Sequence, residues 1–281
     1  MDTVELTVKL IPKDPWSDIL IAELSDRGFD SFVNTDDGLI AYCQNSVDVD
    51  KIISETLLNG KMTVDVDIYK SIIPYQNWNA KWEADFQPVY IEEYATIIAP
   101  FHKEIETKGN VVIIQPQMSF GTGHHQTTWM MTKALFELDN MPEHVLDMGT
   151  GTGVLAVVAE KLGAREILAI DIEDWSVINA QENTDRNNCK TITCVCGDID
   201  KVIGNSFGLI IANINKNILK AHMKTYSNAL LNEGTLLLSG FFSSDIDEIV
   251  EFTKELNLEK TKVLAKDEWA CIQFTKSKTD L

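Results

Sequence analysis

Along the first 71 residues apolar positions alternate, spread to a helical spacing, and alternate again. "VELTVKLI" has the period of two of a half-buried strand, and "DPWSDILIAELSDRGF" sets Trp16, Ile19, Leu20 and Leu24 on one predicted helix face. "FDSFVNT" and "LIAYCQ" flank Asp36-Asp37-Gly38, a turn signal joining two strands. "SVDVDKIISETLLNG" reads as a helix ending at Gly60, and "MTVDVDIYK" as a last strand. The order βαββαβ predicts a small ferredoxin-like α+β domain over residues 1–71.

Residues 72–88 break the pattern at Pro74 and hold Trp78 and Trp82 four apart, on one face if helical. They read as a packed linker, with a substrate-binding platform as the sharper alternative. "NVVIIQ" is a strand leading into "SFGTGHHQTT". From Glu143 short apolar runs, "HVLDMG", "EILAID", "ITCVCG", "LIIANI" and "TLLLSG", alternate with helix-length stretches that have one apolar side. Such runs suit parallel strands covered on both faces, so residues 89–281 are predicted to form a doubly wound α/β sheet, closed by strands near "KTKVLAK" and "WACIQFT".

Charge narrows the partners. The net charge is −19, and residues 1–71 carry 6 Lys and Arg against 14 Asp and Glu, a balance of −8. An acidic surface repels nucleic acid and attracts a basic partner, and no basic run offsets it. Five cysteines without a C-x-x-C pair argue against a disulfide scaffold or a structural zinc site and read as small buried hydrophobes. No apolar run approaches bilayer length and the first residues lack a signal-peptide pattern, so the expected location is the cytoplasm.

Ligands of an open α/β sheet sit at the carboxyl ends of its strands. Strand one there ends in "DMGTGTG", with Asp147, Gly149, Gly151 and Gly153, glycines that let backbone N–H groups approach a ligand at a helix N-terminus. Val154 stands where a dinucleotide fingerprint needs its last glycine, and the P-loop Lys is missing. Strand two ends at Asp171, 22 residues past Gly149, suited to a pair of ribose hydroxyls. Strand three ends near Asp198, placed for an adenine amino group, and strand four at Asn213, where a transferred group would emerge. His124 and His125 are adjacent, so they diverge on a helix and poorly share a metal; no metal site is expected.

These residues in this order resemble the class I S-adenosylmethionine-dependent methyltransferases. With "NWNAKWEADFQP", "SFGTGHHQTT" and "ANI", the chain resembles the ribosomal protein L11 methyltransferase family over nearly its whole length. The resemblance implies a doubly wound methyltransferase sheet with a smaller N-terminal ferredoxin-like domain. It implies S-adenosylmethionine as cofactor and transfer of methyl groups to lysine side-chain and N-terminal amines of a large-subunit ribosomal protein. The family's cofactor positions fall on Thr128, Gly149, Asp171 and Asn213; Gly151 and Asp198 join them from the strand-end reading. The family's usual Asp-Pro-Gly is Gln115-Pro116-Gln117 here, and its usual Leu after Asn-Ile is Asn215, departures that bear on substrate choice.

The expected roles are Asn213 orienting the amine and Phe120 packing on the substrate stem, with residues 1–71 capturing a basic ribosomal protein and swinging on the linker. Methylation of another protein, a small amine or a nucleic acid base is the enzymatic alternative; "NINK" in place of Asn-Pro-Pro-Tyr weighs against the base. A non-catalytic cofactor-binding protein is the alternative outside enzymes.

Overall fold

A computed structural model describes residues 2–56, 65–75 and 78–278. The chain divides into two compact units, residues 1–85 and 86–281. The expected helix end at Gly60, the strand start at Met62 and the Trp78 side chain lie outside the described residues.

The first unit runs β1 (Thr3–Ile11), α1 (Trp16–Ser25), β2 (Phe29–Thr35), β3 (Gly38–Gln44), α2 (Val49–Glu55) and β4 (Asp65–Ile73), followed by α3 (Trp78–Asp85). Its sheet has the order β2-β3-β1-β4, antiparallel throughout. The period of two in β1 sends Val4, Leu6, Val8 and Leu10 inward against Leu39, Ala41 and Cys43, and the helices cover that face with Leu20, Leu24 and Ile52. Ile19 was expected on the same helix face but is 40% exposed, whereas Ser17 is buried. The face that meets the sheet is the row 17, 20, 24, and Ile19 lies about 100° around the helix from Leu20.

The second unit opens with a three-stranded sheet of β5 (Val89–Ile91), β6 (Ala95–Ile98) and β7 (Asn110–Ile113). Then follow α4 (Gln126–Phe136), β8 (His144–Met148), α5 (Val154–Lys161), β9 (Glu166–Asp171), α6 (Asp174–Arg186) and β10 (Ile192–Cys196). The remainder is β11 (Phe207–Asn213), α7 (Lys216–Ala229), β12 (Leu230–Phe242), α8 (Ile246–Thr253), β13 (Leu258–Lys266) and β14 (Trp269–Lys276). The large sheet has the order β10-β9-β8-β11-β12-β14-β13, parallel from β10 to β12 and antiparallel where β14 joins.

The apolar runs are explained by burial on both faces. Val145, Leu209 and Ile211 join one core with Met130, Met131 and α5. Leu146, Ile210 and Ala212 join the other, with Leu219, Met223, Tyr226 and Ile249. The chain leaves β8 toward β9 on one side and reaches β11 on the other, so the sheet order reverses between β8 and β11, and a crevice opens at their carboxyl ends. Cys43, Cys189 and Cys271 are buried as expected, but Cys196 is exposed, because β10 is the edge of the sheet. Among the described residues no helix is long and apolar enough to cross a membrane.

Candidate active site

The crevice at the reversal point holds a cavity of about 510 Å³, within the range of ~300–1,000 Å³ usual for small-ligand sites. Phe120, Gly149, Gly151, Asp171, Asp198 and Asn213 all line it, so positions spread over 94 residues of sequence, from 120 to 213, converge on one cavity. Thr128 does not line it. It is fully buried in the first turn of α4, its carbonyl accepts the Thr132 hydroxyl at 2.8 Å, and its own hydroxyl has no partner.

The floor is the turn after β8. The amides of Gly149 and Thr150 donate to the Ile170 carbonyl at 2.8 and 2.9 Å, curling the chain back over β9. Gly149 has φ +75, and a Cβ there would lie 2.2 Å from Ile214 Cγ2; Gly151 has φ +56, and its Cβ would lie 2.2 Å from the Phe120 carbonyl oxygen. Both positions therefore need glycine for conformation and for space. Below the turn, fully buried Asp147 accepts the Thr150 hydroxyl at 2.7 Å, and burial pushes its carboxyl up to about 7.

Asp171 is held by two backbone donors: Gly151 N–H to Oδ2 at 2.9 Å and Glu173 N–H to Oδ1 at 3.1 Å. Each carboxylate oxygen keeps acceptor capacity for a ligand hydroxyl. Asp198 caps the following 3₁₀ turn through Ile199 N–H at 2.7 Å, with His222 Nε2 at 3.8 Å. Asn213, the last residue of β11, has a buried Oδ1 with no hydrogen-bond partner, and the Ser119 hydroxyl, also in the lining, has none either. Buried polar atoms are seldom left unsatisfied, so two in the lining of one cavity mark where a ligand is expected to donate or accept.

The two histidines separate. His124 bonds Thr122 Oγ1 at 3.2 Å and the Gln87 carbonyl at 2.9 Å. His125 caps α4: its Nδ1 accepts the Thr127 N–H at 3.3 Å, and burial lowers its pKa. Its ring packs between Phe120 and Trp269, with centroids at 5.1 and 4.7 Å. Among the described residues no three His, Cys, Asp or Glu side chains gather to hold a metal ion.

Ser119 and Phe120 of "SFGTG" line the cavity together with an apolar rim of Met118, Ile172, Trp175, Ile214 and Ile218 that no motif marks. Trp175 follows the strand-two carboxylate by four residues, in the first turn of α6, and is 52% exposed, an aromatic left in solvent beside the strand end. That placement was the only available signal, since Ile214 and Met118 reach the wall through loop geometry. Asn215, a departure from the family pattern, has a local reason: its side chain caps α7 by accepting the Asn217 N–H at 2.9 Å.

The family model described as ribosomal protein L11 methyltransferase (PrmA) matches residues 23–277. A protein named ribosomal protein L11 methyltransferase from Porphyromonas gingivalis is 42% identical over 261 residues, covering 92% of this chain and 90% of that protein. One of the same name from Phocaeicola vulgatus is 36% identical over 279 residues, covering 98% and 99%. Among solved structures, a ribosomal protein L11 methylase from Lactobacillus delbrueckii subsp. bulgaricus matches with a TM-score of 0.63 and 25% identity, covering 69% of this chain and 100% of that one.

Proposed function

The chain belongs to the ribosomal protein L11 methyltransferase family, and from that premise we propose that it transfers methyl groups from S-adenosylmethionine to lysine side-chain and N-terminal amines of the large-subunit ribosomal protein L11. The observation that carries the site assignment is the buried, unpartnered Asn213 Oδ1 at the end of β11, facing the same cavity as the Asp171 carboxylate and the glycine turn.

The residues fit the cofactor. Asp171 supports recognition of the ribose hydroxyls, Ile172 and Trp175 supply apolar surface for a flat base, and Asp198 supplies an acceptor for an amino group. The narrow approach at Gly149 and Gly151 leaves room beside the backbone where a side chain would intrude. When bound, S-adenosylmethionine supplies an electrophilic methyl on a sulfonium, with a neutral thioether as leaving group.

The protein's contribution is alignment and desolvation. A free lysine has a pKa of ~10.4, and only its neutral amine has the lone pair for an in-line displacement. The rim of Met118, Phe120 and Ile218 disfavours the ammonium and favours loss of its proton to water before transfer. Asn213 Oδ1 accepts an N–H of the neutral amine and aims the lone pair, and Phe120 packs on the lysine stem. His125 is not the base: its Nδ1 already accepts the Thr127 amide, so its neutral ring carries the proton on Nε2.

The acidic N-terminal unit is assigned the capture of the basic protein. The sheet face away from α1 and α2 carries Glu5, Tyr42, Asp67 and Tyr69, with Tyr69 57% exposed, and its Lys9 is paired with Asp37 at 2.6 Å, a surface of acid and aromatic character suited to a basic partner. The test is incubation with isotopically labelled S-adenosylmethionine and total ribosomal proteins, with modified residues mapped by mass spectrometry. Label on L11 amines supports the reading; label confined to other ribosomal proteins, or none at all, refutes it.

A further inference from the structure

Asn183 lies in the third turn of α6, fully buried, and does not line the cavity. Its Oδ1 accepts the Gln115 N–H at 2.8 Å, with Arg186 Nη1 at 3.3 Å on the same oxygen, and its Nδ2 donates to the Thr152 carbonyl at 2.9 Å. Thr152 in turn donates its N–H to the Phe120 carbonyl at 2.9 Å and its hydroxyl to the Gly121 carbonyl at 2.6 Å. Gln115 and Phe120 are two points on one segment, so the bonds close a circuit: from Gln115 along the chain to Phe120, across to Thr152, and through Asn183 back to Gln115.

Asn183 is the middle of a row. Asn179, Asn183 and Asn187 are four apart on one face of α6 and meet the backbone between Ile113 and Gln115. Asn187 donates to the Ile113 carbonyl at 2.6 Å and accepts its N–H at 2.9 Å, and so serves the end of β7. Asn179 reaches the Gln115 carbonyl at 3.3 Å. Asn183 is the member of the row that also reaches the glycine turn.

Resting on the methyltransferase reading, we infer that Asn183 is a positioning residue that ties the segment bearing Phe120 to the turn bearing Gly151 and so fixes the spacing between the substrate-side and cofactor-side walls of the site. Displacement chemistry is sensitive to this spacing, since a shift of about 1 Å in aligned groups can lower a rate ~100-fold. A buried amide pair held at both ends is a stiff way to set it, because breaking either bond strands a buried polar atom.

The test compares Asn183→Asp with Asn187→Asp in the full chain. Each exchange keeps the side chain's size and its acceptor for a backbone N–H, and replaces the donor with an oxygen facing a carbonyl. Melting temperature, S-adenosylhomocysteine affinity by calorimetry, and kcat at saturating substrates are read for both. Both variants lose melting temperature. Asn183→Asp is expected to weaken S-adenosylhomocysteine and lower kcat by about tenfold or more each, a loss of ~1.4 kcal/mol per tenfold. Asn187→Asp stays within about twofold of wild type on both. The inference is overturned if Asn183→Asp holds both values within twofold, or if Asn187→Asp lowers them equally at an equal loss of melting temperature. Should Asn183→Asp not fold, Asn183→Ser, too short to span from the Gln115 amide to the Thr152 carbonyl, opens the same circuit and carries the same expectation. Wild-type protein that fails to bind S-adenosylhomocysteine overturns the methyltransferase reading itself; wild-type binding with unchanged variants overturns only the role of Asn183.

Discussion

The Thr152 amide donates to the Phe120 carbonyl at 2.9 Å, joining two glycine turns that lie about thirty residues apart in the chain into one rim. Gly151 makes that approach possible, because any Cβ there would strike the same carbonyl oxygen. The resemblance between "FGTG" and "MGTGTG" therefore has a physical basis: each turn is bare so that the other can press against it.

Gly151→Ala is predicted to cost about 1–3 kcal/mol from its positive φ alone, and more from the 2.2 Å clash with Phe120. Gly163→Ala is the control, with φ +111 and open space around the added carbon. Thermal melts of the pair should show the larger loss at Gly151. Only that variant should also lose cofactor affinity, by about tenfold or more.

Ser119→Ala removes a buried hydroxyl that has no protein partner. Removing an unsatisfied polar atom does not break a bond, so the melting temperature should hold or rise slightly. Calorimetry with S-adenosylhomocysteine should nonetheless show several-fold weaker binding. An unchanged affinity would remove Ser119 from the site.

Asp147 ties stability to pH. Its carboxyl titrates at about 7 in the folded protein against 3.8 in the unfolded chain, because of burial. Between those values the folded state binds the extra proton, so this group's contribution is fully present below about pH 4 and is lost as pH rises toward about 7. Asp147→Asn keeps an acceptor for the Thr150 hydroxyl without the charge. Urea unfolding at pH 5 and pH 8 should show the variant gaining on wild type at the higher pH, by more than about 1 kcal/mol.

Much of this site is legible in the sequence because the sheet turns order along the chain into order in space. Asp171 and Asn213 end β9 and β11, Asp198 lies two residues past the end of β10, and strands that alternate with helices bring these ends together. The ferredoxin-like order of the first unit is legible for a related reason, since the period of two in β1 survives as burial of Val4, Leu6, Val8 and Leu10. What escapes is set by loops and helix rotation. Met118 and Ile214 reach the cavity through turns that no periodicity describes, and α1 faces its sheet along Ser17 rather than Ile19. The fourfold spacing of Asn179, Asn183 and Asn187 is plain in "INAQENTDRNN", but only the backbone it meets gives it meaning.

Substrate capture is predicted to respond to charge on the open sheet face. Glu5→Lys with Asp67→Lys should raise KM for the ribosomal protein by about tenfold and weaken its dependence on salt, while leaving S-adenosylhomocysteine affinity unchanged. Steady-state kinetics at low and physiological ionic strength would read both. A KM that does not move would place capture elsewhere.

The central claim is that Asn213 orients an amine for methyl transfer. Its most direct test is single-turnover methylation of ribosomal protein L11 by Asn213→Ala beside wild type, both saturated with S-adenosylmethionine. The Oδ1 atom has no protein partner, so the variant should fold with an unchanged melting temperature. Its transfer rate should fall by about 100-fold, as expected for loss of an aligning hydrogen bond. A transfer rate within a few-fold of wild type would contradict the account.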